Sequence, residues 1–260
     1  MMLLMGVVGS ILVLGGCELA SSSTPIIRPD GDIITETFEV DDFTSFSVGG
    51  AFDVTFRYAD HHEVRIEMAE NLFDYIEVAV SRGALSIGTR SGIGINFGNH
   101  QPQVTIYAPY IEGVVLSGST TTIDWDPISA SSFSIAASGS SQIVIEVFAE
   151  EVDVAASGST DITADFTTDE LNITASGSSN IELNGSAGIV DLNLSGSNQI
   201  SAFELQTEEV DLEASGSTQV EIAVSERLNV IARGSSRVQY VGNPVVTQET
   251  SGSATISPRD

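Results

Sequence analysis

The chain has one cysteine, Cys17, and no lysine, and its nine arginines face 36 acidic residues for a formal net charge of −27. A single cysteine excludes internal disulfides, so the fold must be held by its own core, which 260 residues can supply. The shortage of positive charge excludes a nucleic-acid partner, because a phosphate backbone needs a basic stripe. It also argues against an acidic lipid surface as a direct partner. The 3.6-residue apolar period is absent while Gly, Ser and Thr are dense, which excludes a helical protein. No apolar run is long enough to span a bilayer comfortably; the longest covers residues 3–16.

That run has the length of a signal-peptide core and leads directly into Cys17. Leu14-Gly15-Gly16-Cys17 resembles a bacterial lipobox, in which the Cys is lipidated and becomes the mature N-terminus. No Lys or Arg precedes the run, so the α-amino group is its only positive charge; the alternative is plain secretion with a chance Cys. Glu18 follows rather than Asp, which in enteric-type sorting points to the outer membrane rather than the inner one. We therefore expect a lipoprotein signal peptide at 1–16, a lipidated Cys17 with a tether over 17–32, and a folded body over 33–256. The expected location is the bacterial cell envelope, with the membrane contacted through the lipid.

What the chain has in abundance is one tripeptide. Ser-Gly-Ser recurs around Gly118, Gly139, Gly158, Gly177, Gly196, Gly216 and Gly252, and Arg233-Gly234-Ser235 is a variant copy. The glycines are 18–21 residues apart. Such a period marks a solenoid in which each repeat is one coil. Aligned on the glycine, apolar residues fall into columns. Four positions before it stand Ile135, Val154, Ile173, Leu192, Leu212 and Val230; four after it stand Ile143, Ile162, Ile181, Ile200, Val220, Val238 and Ile256. The period of two within each run, with β-branched residues, reads as half-buried strand.

The fold expected is all-β: a single-stranded parallel β-helix, right-handed because no hexapeptide subrepeat is present, with Ser-Gly-Ser at one corner and a polar return. An antiparallel meander would not need the same corner at the same phase in every repeat. Residues 33–110 are strand-like but less regular, with alternation through Phe46, Val48, Phe52, Val54 and Phe56 across Gly49-Gly50. They read as irregular first coils or a capping sheet ahead of the repeats of 111–256, since a solenoid end is an exposed edge.

Asp153, Asp191 and Asp211 share an outward column five residues before the glycine. Stacked like charges either recruit a cation such as calcium or serve as a solvated face that resists aggregation. No calcium loop pattern is present. Asp60-His61-His62-Glu63 reads as a polar turn, because adjacent His on a strand point to opposite faces. Arg227, Arg233 and Arg237 gather near one late corner beside Glu226. With 36 acids, a carboxylate pair at glycosidase separation arises by chance, and no nucleophile elbow is present. No catalytic residue and no cofactor is assigned.

The run Phe46-Ser47-Val48-Gly49-Gly50-Ala51-Phe52-Asp53-Val54, the repeated Ser-Gly-Ser corners and the late Tyr240-Val241-Gly242-Asn243-Pro244 resemble the putative auto-transporter adhesin, head GIN domain family over residues 43–256. The resemblance implies an exported, often lipidated bacterial protein with a β-helical fold, and it carries no catalytic or binding residues. The chain departs from the family by Ser-Gly-Ser where many members have Ser-Gly-Ser-Gly, and by Arg233. The function expected is a non-catalytic, adhesin-like binding or structural module whose partner is a glycan or an envelope or surface protein. The alternatives are a periplasmic accessory factor that binds another protein and a polysaccharide lyase or hydrolase.

Overall fold

The computed structural model describes residues 26–98 and 100–259, and about 70% of this is strand. The strands form two parallel columns wound as a solenoid of about eight turns. One column leads into each corner. It runs through Ala84–Thr89, Ser45–Gly50, Gly113–Gly118, Ser132–Gly139 and Glu151–Gly158. The second halves of Asp161–Gly177, Asn180–Gly196, Gln199–Gly216 and Gln219–Ala232 continue it, and Val245–Thr250 ends it. The other column leaves the corner, from Gln103–Ala108 through Asp53–Tyr58 to Arg237–Val241 and Thr255–Pro258. Corner stacks on corner in register: Gly139 faces Gly158, then Gly177, Gly196 and Gly216. The parallel β-helix read from the repeat is the fold.

Gly177 shows why the corner is glycine. Its φ is +96°, and a Cβ there would stand 2.6 Å from the Gly158 carbonyl oxygen on the adjoining coil. That carbonyl is already engaged, accepting the Ser178 N–H at 2.7 Å. The same bond links Ser197 to Gly177 and Ser159 to Gly139, so the corners form a continuous backbone ladder.

The side chains that secure the corner are not the flanking serines, which mostly point to solvent. They belong to the residue two positions after the glycine: Thr120, Ser141, Thr160, Ser179, Asn198, Thr218 and Ser236, all buried. Strand alternation turns this position inward. There the side chain donates to the carbonyl three residues back, from Ser141 to Ser138 at 2.8 Å, Asn198 to Ser195 at 2.7 Å and Ser236 to Arg233 at 2.8 Å. A partly shielded carbonyl at a tight corner would otherwise lack a protein partner.

The apolar columns fill the interior, with Val152, Leu171, Val190, Val210 and Leu228 all buried in one of them. At the N-terminal end the core turns aromatic: Phe46, Phe52 and Phe56 are buried, and Trp125 packs on Phe46 and Phe56. Gly50, with φ of +137°, stands in the corner column beside Gly118, so Ser45–Tyr58 is a coil. Phe52 takes the place of the buried hydroxyl there. The chain then leaves the stack and folds over its end. Glu63–Ala69 pairs antiparallel with Gln103–Ala108, Ile33–Glu39 pairs antiparallel with Glu63–Ala69, and Ile76–Ser81 pairs antiparallel with Ala84–Thr89. These reversals of strand direction end the run of parallel coils.

Candidate functional site

Opposite the Ser-Gly-Ser ridge each coil turns back through its return. The returns differ in length, and the ladder slips where they do. Register shifts occur between Glu182 and Asn184 and between Ala202 and Gln206. Coils of unequal girth cannot stack flush, and the mismatch opens a groove of about 730 Å³ across five successive returns. Its walls carry Thr168 and Asp169, Ser186 to Gly188, Gln206 to Glu208, Ala223 to Ser225, and Val241 to Asn243.

The groove is built on fixed groups. The Thr168 hydroxyl bonds to the Glu150 and Glu170 carbonyls at 3.0 and 2.9 Å. The Thr207 hydroxyl donates to the Ala223 carbonyl at 2.5 Å, and the Ser225 hydroxyl donates to the Thr207 carbonyl at 3.0 Å. Gly188 keeps the floor low, since a Cβ would meet the Asp169 carbonyl oxygen at 2.8 Å. Ser186, Gln206, Glu208 and Asn243 are exposed and free to meet a ligand. The lining is hydroxyl, amide and small apolar, with two carboxylates, Asp169 and Glu208, separated by Gly188 on the intervening coil. Both carboxylates are exposed.

The sequence did not single out this groove as a site. Its signals were the uneven spacing of the last glycines and the glycines at 185 and 188 inside a strand run. The Tyr240-Val241-Gly242-Asn243-Pro244 run, noted for its family resemblance, supplies part of one wall. Gly242 is also required by the fold, because its φ is +107°.

The acidic column is interrupted. Register places Asn172 between Asp153 and Asp191, while Asp191 and Asp211 are direct neighbours, followed by Asn229. The amides relieve the charges: Asn172 donates to Asp153 at 3.1 Å, Asn193 to Asp191 at 2.7 Å and Asn229 to Asp211 at 2.6 Å. Burial, and then the charges of Asp211, Glu213 and Glu170, push the Asp191 carboxyl above its usual range. Among the described residues no group of three or more His, Cys, Asp or Glu side chains converges as a metal site.

His61 and His62 lie in a turn. His61 contacts Asp60 at 3.0 Å and His62 contacts Asp42 at 3.0 Å. The His61 contact holds the exposed Asp60 carboxyl below its usual range. Arg227 pairs with Glu209 on the next coil, and Arg233 and Arg237 are exposed on either side of the Gly234 corner. Cys17 lies outside the described residues, as do the signal core and most of the tether.

Comparison with known proteins agrees with this architecture. Among curated proteins none matches the chain. A putative adhesin from Parabacteroides merdae superposes with a TM-score of 0.80 at 22% identity, covering 91% of this chain and 100% of its own. One from Parabacteroides distasonis gives 0.81 at 21% identity, covering 90% and 100%. A putative lipid binding protein from the same species gives 0.72 at 21% identity, again covering 90% and 100%. At these identities the likeness establishes the fold. The model of the family described as "Putative auto-transporter adhesin, head GIN domain" matches residues 42–175 and 156–244, and the chain belongs to that family.

Proposed function

We propose that the chain is an exported, lipid-anchored envelope protein that acts as a non-catalytic, adhesin-like binding module. Its binding surface is the groove across the returns, and its ligand is an extended, hydroxyl-rich chain, that is, a glycan. The observation that carries this reading is the groove itself. It lies across five coils, the buried Thr168 and Thr207 brace its floor through hydrogen bonds to backbone carbonyls, and it is open to solvent. Hydroxyl and amide groups held on rigid strands suit a neutral polymer that displays hydroxyls at regular intervals. Export and anchoring rest on the run of residues 3–16 and on Leu14-Gly15-Gly16-Cys17. An outer-membrane address rests on Glu18.

One observation favours a second reading. Asp169 and Glu208 are two coils apart, roughly 9.5 Å at the usual strand spacing, near the upper end of the carboxylate separation in inverting glycosidases. Their exposure weighs against it. The protein is incubated with a panel of bacterial and algal polysaccharides, with and without calcium, and both retention and release of small sugars are recorded. Retention without release supports the binding module. Release of oligosaccharide, lost in Asp169→Asn, overturns it in favour of a hydrolase. Calcium-dependent retention would implicate Asp191 and Asp211. Neither signal moves the assignment to a protein partner in the envelope.

A further inference from the structure

Among the described residues both ends of the solenoid present unpaired strand edges. At the C-terminal end Val245–Thr250 bonds only to Gln219–Ala232, and Thr255–Pro258 only to Arg237–Val241. At the cap end Ile33–Glu39 bonds only to Glu63–Ala69, and Ile76–Ser81 only to Ala84–Thr89. Apolar side chains in line with the core stay partly exposed at each, Val246 and Ile256 at one end, Phe38 and Val80 at the other.

The two ends differ in charge. Residues 226–260 contain Arg227, Arg233, Arg237 and Arg259 against Glu226, Glu249 and Asp260, in a chain whose formal net charge is −27; Arg227 and Arg259 pair with Glu209 and Glu221, while Arg233 and Arg237 stand exposed. Residues 30–42 contain Asp30, Asp32, Glu36, Glu39, Asp41 and Asp42 and no base. We propose that the C-terminal end of one copy docks on the cap end of a second copy, head to tail. Tail-to-tail contact would oppose arginines, and head-to-head contact would oppose carboxylates. Only the mixed arrangement brings unlike charge together. The strand directions allow it. Ile33–Glu39 is reversed twice relative to Asp53–Tyr58's column, so it would run parallel to Thr255–Pro258, while Ile76–Ser81 would meet Val245–Thr250 antiparallel. Pro258 removes one donor from its edge, but Val245–Thr250 has no proline and keeps every N–H. A heterologous contact of this kind repeats, giving open rows of copies. The cross-section is a single coil, so each junction is weak and concentration-dependent.

The test uses the full chain carrying Cys17→Ser, which leaves no native thiol. With Thr35→Cys and Ser257→Cys together, oxidation should give a ladder of dimer, trimer and higher species. Thr35→Cys paired with Ser197→Cys, on the corner ridge, should stay monomeric. Adding Arg233→Glu and Arg237→Glu, or raising the salt to 0.5 M, should weaken the ladder by about tenfold, as expected of a charge-steered contact. A dimer from Ser257→Cys alone would mean tail-to-tail contact and overturn the proposal. So would monomers throughout, equal cross-linking of the ridge pair, or a ladder indifferent to both salt and charge reversal. These outcomes leave the glycan reading of the groove untouched, because no residue changed here lines it.

Discussion

The Thr160 hydroxyl donates to the Ser179 hydroxyl at 2.9 Å, on the next coil and out of contact with water. Ser179 in turn gives its backbone N–H to the Asn198 side-chain oxygen at 3.2 Å. Three coils are thus joined inside the corner by side chains that the Ser-Gly-Ser motif does not include. Asn198 carries the largest share, since its amide also donates to Ser195 at 2.7 Å. Asn198→Ala should cost ~2 kcal/mol, because it strands the buried Ser179 N–H and leaves the partly buried Ser195 carbonyl without its partner. Thr160→Val, which removes one hydroxyl and keeps the shape, should cost ~1–2 kcal/mol. Urea unfolding of the two variants gives the order directly. Equal and negligible losses would mean that water reaches the corner and replaces the bonds.

Glycines that share the left-handed region should differ sharply in what they tolerate. Gly177 and Gly83 have φ of +96° and +77°, but a Cβ on Gly83 meets nothing within 4 Å. Gly83→Ala should therefore cost only the left-handed conformation, ~1 kcal/mol. Gly177→Ala adds a clash with backbone that cannot move without parting two coils, and should exceed ~4 kcal/mol or prevent folding. Thermal melts of the pair separate conformational strain from the close approach of coils.

The solenoid was legible because its signal is redundant. Ile143, Ile162, Ile181 and Ile200 stand at one phase, as stacked coils sharing one corner require. The buried polar position two after the glycine was equally periodic, but Thr120, Ser141 and Asn198 look like ordinary loop residues unless strand alternation is carried through the corner. The cap was harder to read. The direction of Glu63–Ala69 depends on its pairing with Gln103–Ala108 far along the chain, which local alternation does not encode. The groove comes from small differences in coil length, a property of stacked coils that no single repeat contains.

The acidic column carries a pH signature. Burial raises the Asp191 carboxyl, with the Asp211 charge adding to it. An acid whose native pKa exceeds its unfolded value opposes folding once ionised, and the penalty disappears as pH falls through that raised value. Asp191→Asn should therefore stabilise the protein at pH 7, and the advantage should shrink as the medium is acidified into the carboxylate range. Asp191 is exposed, so solvent screening keeps the gain to a few tenths of a kcal/mol, about the scale of a surface pair. Melts of both proteins across that range check the sign. A variant less stable at pH 7 would mean that a bound cation offsets the repulsion, and added chelator should then destabilise the parent.

Anchoring can be tested apart from binding. Cys17→Ser removes the only thiol available for lipid attachment. The protein should move from the membrane fraction to the soluble one with its melting temperature unchanged, since the tether precedes the first coil. Persistence in the membrane fraction would end the lipoprotein reading.

The groove makes the sharpest demand. Gln206 and Asn243 are exposed on walls two coils apart, and among the described residues neither side chain supports a neighbouring backbone group. Gln206→Ala with Asn243→Ala should therefore leave stability within about 0.5 kcal/mol of the parent while reducing retention on a bound polysaccharide about tenfold or more, the loss expected for two ligand hydrogen bonds. Glu208→Gln distinguishes the two chemistries available to the site. It should keep retention if the carboxylate only accepts hydrogen bonds, because the amide oxygen still accepts. It should abolish sugar release if the carboxylate acts as a base. Retention unaffected by all three substitutions would remove the groove as the binding surface and direct attention to the flat face beside the serine ridge.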